Sequence, residues 1–333
     1  MKKPSLFPLI VSGFLFGSAI VSDGFAQAGP APQASGALQG AGGPPGAGRG
    51  GRGGGPGPQL PPGPPAPVPP EVTFARPSPD ELATMNSELK QFVGNSAHKD
   101  LFLKYAADLG VPAPRDNPCI RPTGNPQNPR HLAFMEIAKA GDFDVMLLGD
   151  SITDLLNADA DPQGNPGGKP VMGKYLSDVK IANFGISGDS TQGVLWRLQN
   201  GEGKEHKPKA VMVMIGTNNL NAQTSGPEVA EGIGAITLEL RNDFPDAKIL
   251  LVAIFPRGPG PSDANRKKIE EANRIIARLD DQKHVFFLNL NDKFLDKNGG
   301  LIGFRASDNL HPVTEGFDIW ISSVAPILKG WVK

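Results

Sequence analysis

Short apolar runs recur at residues 144–148, 179–184, 210–215, 248–255 and 284–290, each bounded by glycine, proline or charged residues. Stretches with helical spacing lie between them. Val229, Ile233, Ile236 and Leu240 fall on one helical face, behind Ser225 and Glu228 placed as a capping box. A helix is also expected over 130–140, with Leu132, Phe134, Met135, Ile137 and Ala138 on its apolar side. Another is expected over 263–279, and a last one carries Phe317, Trp320, Ile321, Val324 and Leu328. Strands that alternate with helices and lack hairpin signals predict an α/β fold, a three-layer α/β/α sandwich around a five-stranded parallel sheet.

The N-terminal third reads differently. Lys2 and Lys3, an apolar run over 6–21 and the triplet Ala26-Gln27-Ala28 match a secretory signal, so residues 1–28 are expected to be removed and the chain exported. The run is interrupted by Pro8, Ser12, Gly13 and Ser18 and falls short of the ~20 residues a span needs, so no membrane span is expected in the mature form. Residues 29–72 are a Gly/Pro-rich tract, expected to be a disordered tether because few large apolar side chains are present to offset the entropy of ordering. Ser78-Pro79-Asp80-Glu81 is a helix start, and helices are expected from there to Phe92 and over 99–109, with 112–129 irregular. Residues 73–129 thus form an extension on the main domain, 130–333.

Composition narrows the function. A formal net charge of -1 argues against a nucleic-acid partner. Cys119 is the only cysteine, so an exported chain would have no internal disulfide, and no feature near it would activate the thiol.

In a parallel sheet the functional loops lie beyond the carboxyl ends of the strands. Four polar clusters meet that condition: Gly149-Asp150-Ser151, the loop from Asn183 to Asp189, Gly216-Thr217-Asn218-Asn219, and Asp308-Asn309-Leu310-His311. Ser151 is a candidate nucleophile, although the same tripeptide would serve as a helix N-cap. A serine needs a base, and a base needs an orienting carboxylate. Of five histidines, His284 and His311 each follow an acid by three residues, Asp281 and Asp308 respectively. Asp281 and His284 precede the last strand and stand at the wrong edge of the sheet; Asp308 and His311 follow it. His311 is therefore the expected base and Asp308 its partner, the alternative being that Asp308 only caps the turn before the last helix, and activity should fall in acid as the ring is protonated. Candidate oxyanion donors are the amides of Ser151 and Gly188 and the side chain of Asn218, with Gly185 and Gly188 equally compatible with ordinary turn glycines and Asn218 with a loop-closing residue.

These four clusters, in this order, resemble the blocks of the SGNH/GDSL hydrolase family. The runs Thr191-Gln192-Gly193-Val194-Leu195-Trp196-Arg197-Leu198 and Phe255-Pro256-Arg257-Gly258 resemble the platelet-activating-factor acetylhydrolase catalytic subunits and their bacterial relatives. The resemblance, over about residues 130–331, implies a flavodoxin-like fold with no metal or organic cofactor. It also implies Ser151, Asp308 and His311 as the triad, with Ser151, Gly188 and Asn218 as the oxyanion hole. Ser187 departs from it, since those relatives usually carry glycine there.

The reading is an exported serine esterase for small acyl groups, acetyl above all. A small-molecule or polysaccharide-linked ester is the expected partner, and a lipid-like ester is the alternative within the family. A non-catalytic binding protein on the same fold is the alternative of another class. The sequence leaves the oligomeric state open.

Overall fold

The computed structural model describes residues 59–105, 115–161, 163–220 and 223–333. The expected signal segment and most of the tether lie outside the described residues, as does the end of the helix expected over 99–109.

Five parallel strands form the sheet: β1 Val145–Gly149, β2 Ile181–Gly185, β3 Ala210–Met214, β4 Lys248–Val252 and β5 Val285–Leu288, in the order β2-β1-β3-β4-β5. The helices are α1 Pro79–Gly94, α2 Lys99–Tyr105, α3 Pro129–Ala140, α4 Ser151–Asp154, α5 Lys169–Leu176, α6 Thr191–Gln199, α7 Gly226–Asp243, α8 Ala264–Ile276 and α9 Thr314–Val332. The expected three-layer α/β/α sandwich is present.

The strands carry unbroken apolar runs because both faces are covered. Alternation along each strand sorts side chains between two cores. Met146, Leu148, Val211, Val213, Ile249 and Leu251 pack with Phe134 of α3, Val194, Leu195 and Leu198 of α6, and the apolar sides of α7 and α8. Val145, Leu147, Met212, Met214, Leu250 and Val252 pack with Ile152, Val171 and Leu176, and with Phe317, Trp320, Ile321, Val324 and Leu328 of α9. The predicted capping box closes the start of α7: Ser225 accepts from the Glu228 amide, and Glu228 accepts from the Ser225 amide. No helix among the described residues is long and apolar enough to cross a membrane.

The order places β1 between β2 and β3, where successive connections leave in opposite directions and a crevice opens at the carboxyl edge. Gly149 pairs in register with both Gly185 and Met214, so β1, β2 and β3 end side by side.

One boundary moves. Residues 59–72, assigned to the disordered tether, run beside residues 120–124, with the amides of Leu60, Gly63 and Ala66 donating to the carbonyls of Gly124, Pro122 and Ile120. Ala66 and Val72 are buried in the core. The low apolar content of the tract as a whole concealed two small side chains that reach a groove made by the rest of the chain. Val72 meets Gly234 of α7, where a Cβ would stand 2.4 Å from the valine side chain.

The extension is secured by charge. Glu231 of α7 is buried and accepts from Arg76 Nη1 at 3.0 Å, Arg76 Nη2 at 2.6 Å and Asn117 Nδ2 at 2.8 Å. Arg115 likewise pairs with Glu228 at 2.7 Å. Cys119 is buried beside these groups, and burial pushes its thiol up to about 11, which keeps it unreactive at neutral pH. Removing one partner of a buried pair strands the other charge. Arg76→Ala is expected to cost about 2–3 kcal/mol, below the ~3–5 kcal/mol of a fully buried pair because Arg76 keeps contact with water. The midpoint of guanidinium unfolding measures it; an unchanged midpoint would show that the extension does not depend on this pair.

Candidate active site

β1 ends at Gly149, and Asp150 is the N-cap of α4, its carboxylate accepting from the Ile152 amide at 3.0 Å. Ser151 is the first residue of α4, so its backbone N–H lies at the positive end of the helix. The cap and the candidate nucleophile are therefore not alternatives: Asp150 caps, and Ser151 is presented by the turn that the cap creates.

The Ser151 hydroxyl lies 2.9 Å from His311 Nε2, and His311 Nδ1 lies 2.8 Å from Asp308 Oδ2. The network sets the tautomer: Nδ1–H donates to the carboxylate, which leaves Nε2 to accept from the serine. Partial burial by itself would raise the Asp308 pKa. The amide and ring of His311 and the amide of Leu310 all favour the carboxylate, and they hold it below the ordinary value.

The other four histidines are occupied elsewhere or remote. His131 is buried against Glu202 at 2.9 Å, and His206 meets the Phe143 carbonyl. His284 lies at the opposite edge, before β5, and the Asp281 carboxylate accepts the amides of Lys283, His284 and Val285, which makes it a turn former. His98 lies in the extension, just before α2.

The candidate oxyanion donors come from the ends of β1, β2 and β3. Gly188, in the loop between β2 and α6, has φ of +84°, a conformation that favours glycine. Asn218 lies in a short 3-10 turn at Thr217–Asn219, and its Nδ2 donates to the Asp189 carbonyl at 2.8 Å. A carboxamide has two such protons, so one orients the group and the other is available for a ligand. Its neighbour Asn219 is buried and accepts from the Thr191 amide at 3.0 Å, which ties the β3 loop to the start of α6.

The partners of several supporting residues were not legible in the sequence. Arg197 is buried and binds the Asp189 carboxylate through Nε at 3.0 Å and Nη2 at 2.9 Å, with Glu202 on its other side. Arg257 donates to the Thr217 carbonyl at 3.1 Å, and the next amide, Gly258, donates to the Asn309 carbonyl at 2.9 Å, so one loop steadies two others. Arg305 bonds Asp161 at 2.6 Å and stands 3.9 Å from Asp308. The run Phe255-Pro256-Arg257-Gly258 was visible in the sequence, but the pairing of Arg305 with Asp161 left no local signal. Among the described residues, no group of three or more His, Cys, Asp or Glu side chains is placed to hold a metal.

Asp150 adds an electrostatic feature. It is buried beside Ile152, Met214, Ile215, Thr217, Ile254 and Phe255. That burial pushes its carboxyl up to about 7, against the favourable Ile152 amide. A carboxyl raised in the folded state gives stability that is complete below its unfolded pKa of about 3.9 and is lost as pH rises through the folded value. Chemical unfolding of the wild type is therefore expected to show a stability component that declines between about pH 4 and about pH 7. Asp150→Asn, which can still cap Ile152, should remove that decline; an identical pH profile in the variant would contradict it.

Comparison with known proteins identifies the family of the chain. The profile of the GDSL-like Lipase/Acylhydrolase family matches residues 147–319, which run from within β1 through β2–β5 and the Asp308/His311 loop. The chain is 31% identical over 188 residues to platelet-activating factor acetylhydrolase IB subunit alpha2 of Rattus norvegicus, covering 56% of this chain and 77% of that protein. It is 31% identical over 181 residues to subunit alpha1 of Bos taurus, covering 54% and 73%. Solved structures similar to it include a GDSL-like lipase from Bacteroides thetaiotaomicron, with 18% identity, a TM-score of 0.47 and coverage of 60% of this chain and 97% of that one. Another is Est24, a carbohydrate acetylesterase from Sinorhizobium meliloti, with 19% identity, a TM-score of 0.43 and coverage of 56% and 98%. With this family match over the residues that form the site, the chain belongs to the GDSL-like lipase/acylhydrolase family and is an ester-hydrolysing enzyme.

Proposed function

We propose that the protein is an exported serine esterase that removes small acyl groups, acetyl above all, through an acyl-enzyme on Ser151. The observation that carries the mechanism is the unbroken pair of hydrogen bonds from Ser151 through His311 to Asp308, at 2.9 and 2.8 Å. His311 Nε2 takes the serine proton as Oγ attacks the ester carbonyl. The imidazolium that forms is stabilised by the ionised Asp308. Negative charge on the carbonyl oxygen is met by the Ser151 and Gly188 amides and the second Asn218 Nδ2 proton, donors set in place before the reaction. His311 then protonates the leaving alcohol, the ester C–O bond breaks, and the acyl group remains on Ser151. A water deprotonated by His311 attacks the acyl-serine, releasing the carboxylic acid and regenerating the hydroxyl.

The acyl preference is supported by the relatives, which are acetylhydrolases. Export is supported by Lys2, Lys3, the apolar run over 6–21 and Ala26-Gln27-Ala28. N-terminal sequencing of protein recovered from outside the cytoplasm should begin at Gly29; a start at Met1 would overturn export by a cleaved signal.

The direct test is hydrolysis of p-nitrophenyl esters from acetate to octanoate. Acetate should be fastest, with kcat/KM falling steeply beyond short chains. Ser151→Ala should lower kcat about a thousandfold or more, leaving only what binding and the oxyanion donors supply, and Asp308→Asn should lower it less. Wild-type turnover by Ser151→Ala sinks the mechanism, whereas a preference for octanoate sinks only the acyl assignment.

A further inference from the structure

Gly188 is exposed, and a Cβ built on it would meet nothing within 4 Å. Its neighbours are tied to the rest of the site by polar contacts. On the C-terminal side those ties are strong: the Asp189 carboxylate is held by buried Arg197, and the Asp189 carbonyl accepts from Asn218. On the N-terminal side, the Ile186 amide donates to the Gly149 carbonyl at 3.1 Å, and the next residue is Ser187.

Ser187 Oγ donates to Asp154 Oδ2 at 2.9 Å. Asp154 is the last residue of α4, one turn beyond Ser151. The bond therefore ties the Gly188 loop to the turn of helix that presents the serine. Asp154 is held in turn from outside the loop. Arg130 Nη2 donates to Asp154 Oδ1 and to the Gly185 carbonyl, both at 2.7 Å, while the guanidinium lies over the Phe134 ring at 5.1 Å. One cation thus joins α3, the end of β2 and the end of α4. It also offsets the Asp154 charge, which unpaired would oppose negative charge developing near the start of the same short helix.

We propose that Ser187 is a positioning residue: through Asp154 and Arg130 it fixes the Gly188 amide relative to Ser151. The inference rests on the reading of Ser151 as nucleophile and Gly188 as oxyanion donor. A hydroxyl at 187 can make this tie, whereas glycine cannot, so this chain carries a loop restraint built from its own sequence.

The test is steady-state hydrolysis of p-nitrophenyl acetate by the full chain, with wild type, Ser187→Ala, Ser187→Thr and Ser151→Ala measured together. Loosening one oxyanion donor should act on the transition state more than on substrate binding. Ser187→Ala is expected to lower kcat about tenfold with KM within about twofold, less than the ~10²–10³-fold loss of a donor itself. Ser187→Thr retains the hydroxyl and should recover kcat to within about twofold of wild type. Ser187 lies near the surface, so the melting temperature of Ser187→Ala should match wild type. The proposal is overturned if Ser187→Ala keeps wild-type kcat, if Ser187→Thr is as slow as Ser187→Ala, or if the loss appears only with a lowered melting temperature. Full activity in Ser187→Ala beside an inactive Ser151→Ala sinks this inference alone; activity in Ser151→Ala sinks the mechanism beneath it.

Discussion

The site depends on how closely α4 can lie against the ends of β1 and β2. Two glycines make that approach possible. A Cβ on Gly149 would stand 2.2 Å from Thr153 Oγ1 and 2.4 Å from the Met214 carbonyl, and a Cβ on Gly185 would stand 2.4 Å from the Asp154 amide nitrogen. Any side chain at either position would lift the helix from the sheet, carrying Ser151 away from His311 and Asp154 away from Ser187. Neither glycine has a positive φ among the described residues, so the requirement is close contact, not backbone freedom.

The second half of the site reaches this platform by a longer route. β5 lies at the far edge of the sheet from β2, yet the segment after it brings His311 back to the end of β1. Beyond a short 3-10 turn at Asn291–Phe294, no helix or strand among the described residues lies between β5 and His311. The segment is held by a bridge between Phe304 and Pro312, by the Val313 amide on the Gly303 carbonyl at 2.8 Å, and by the Arg305 amide on the His311 carbonyl at 2.9 Å. Asn309 adopts φ of +49°, which asparagine tolerates better than most residues. The buried Arg305–Asp161 pair and the Gly258–Asn309 hydrogen bond then fix the loop from two sides. A serine and a histidine 160 residues apart are thus aligned by hydrogen bonds between loops, and the packed layers supply only the frame.

Much of the frame could be read from local pattern. All five strands lie within or one residue beyond the apolar runs at 144–148, 179–184, 210–215, 248–255 and 284–290, and the Ser225/Glu228 box starts α7 as expected. Buried parallel strands and capped helices announce themselves because their signals are short-range. The tether boundary was misplaced because burial of Ala66 and Val72 depends on a groove that residues 118–124 and α7 build from a distance. The roles of Arg130, Asp154 and Arg305 were equally silent, and Arg197 stood out only as part of a family-like run, since a charged residue on a helix or loop reads as solvated until its partner is placed.

Asp308/His311 and Asp281/His284 show where the line falls. Both have the same spacing, and both build the same local turn: Asp281 accepts the His284 amide at 2.7 Å and Asp308 accepts the His311 amide at 3.0 Å. The sequence by itself determined that each acid stands three residues before a histidine and that only one pair follows the last strand. Tertiary structure alone decided that the His311 ring, bound to Asp308 on one side, meets Ser151 on the other, because that contact requires β1 and the segment after β5 to be folded onto the same edge of one sheet.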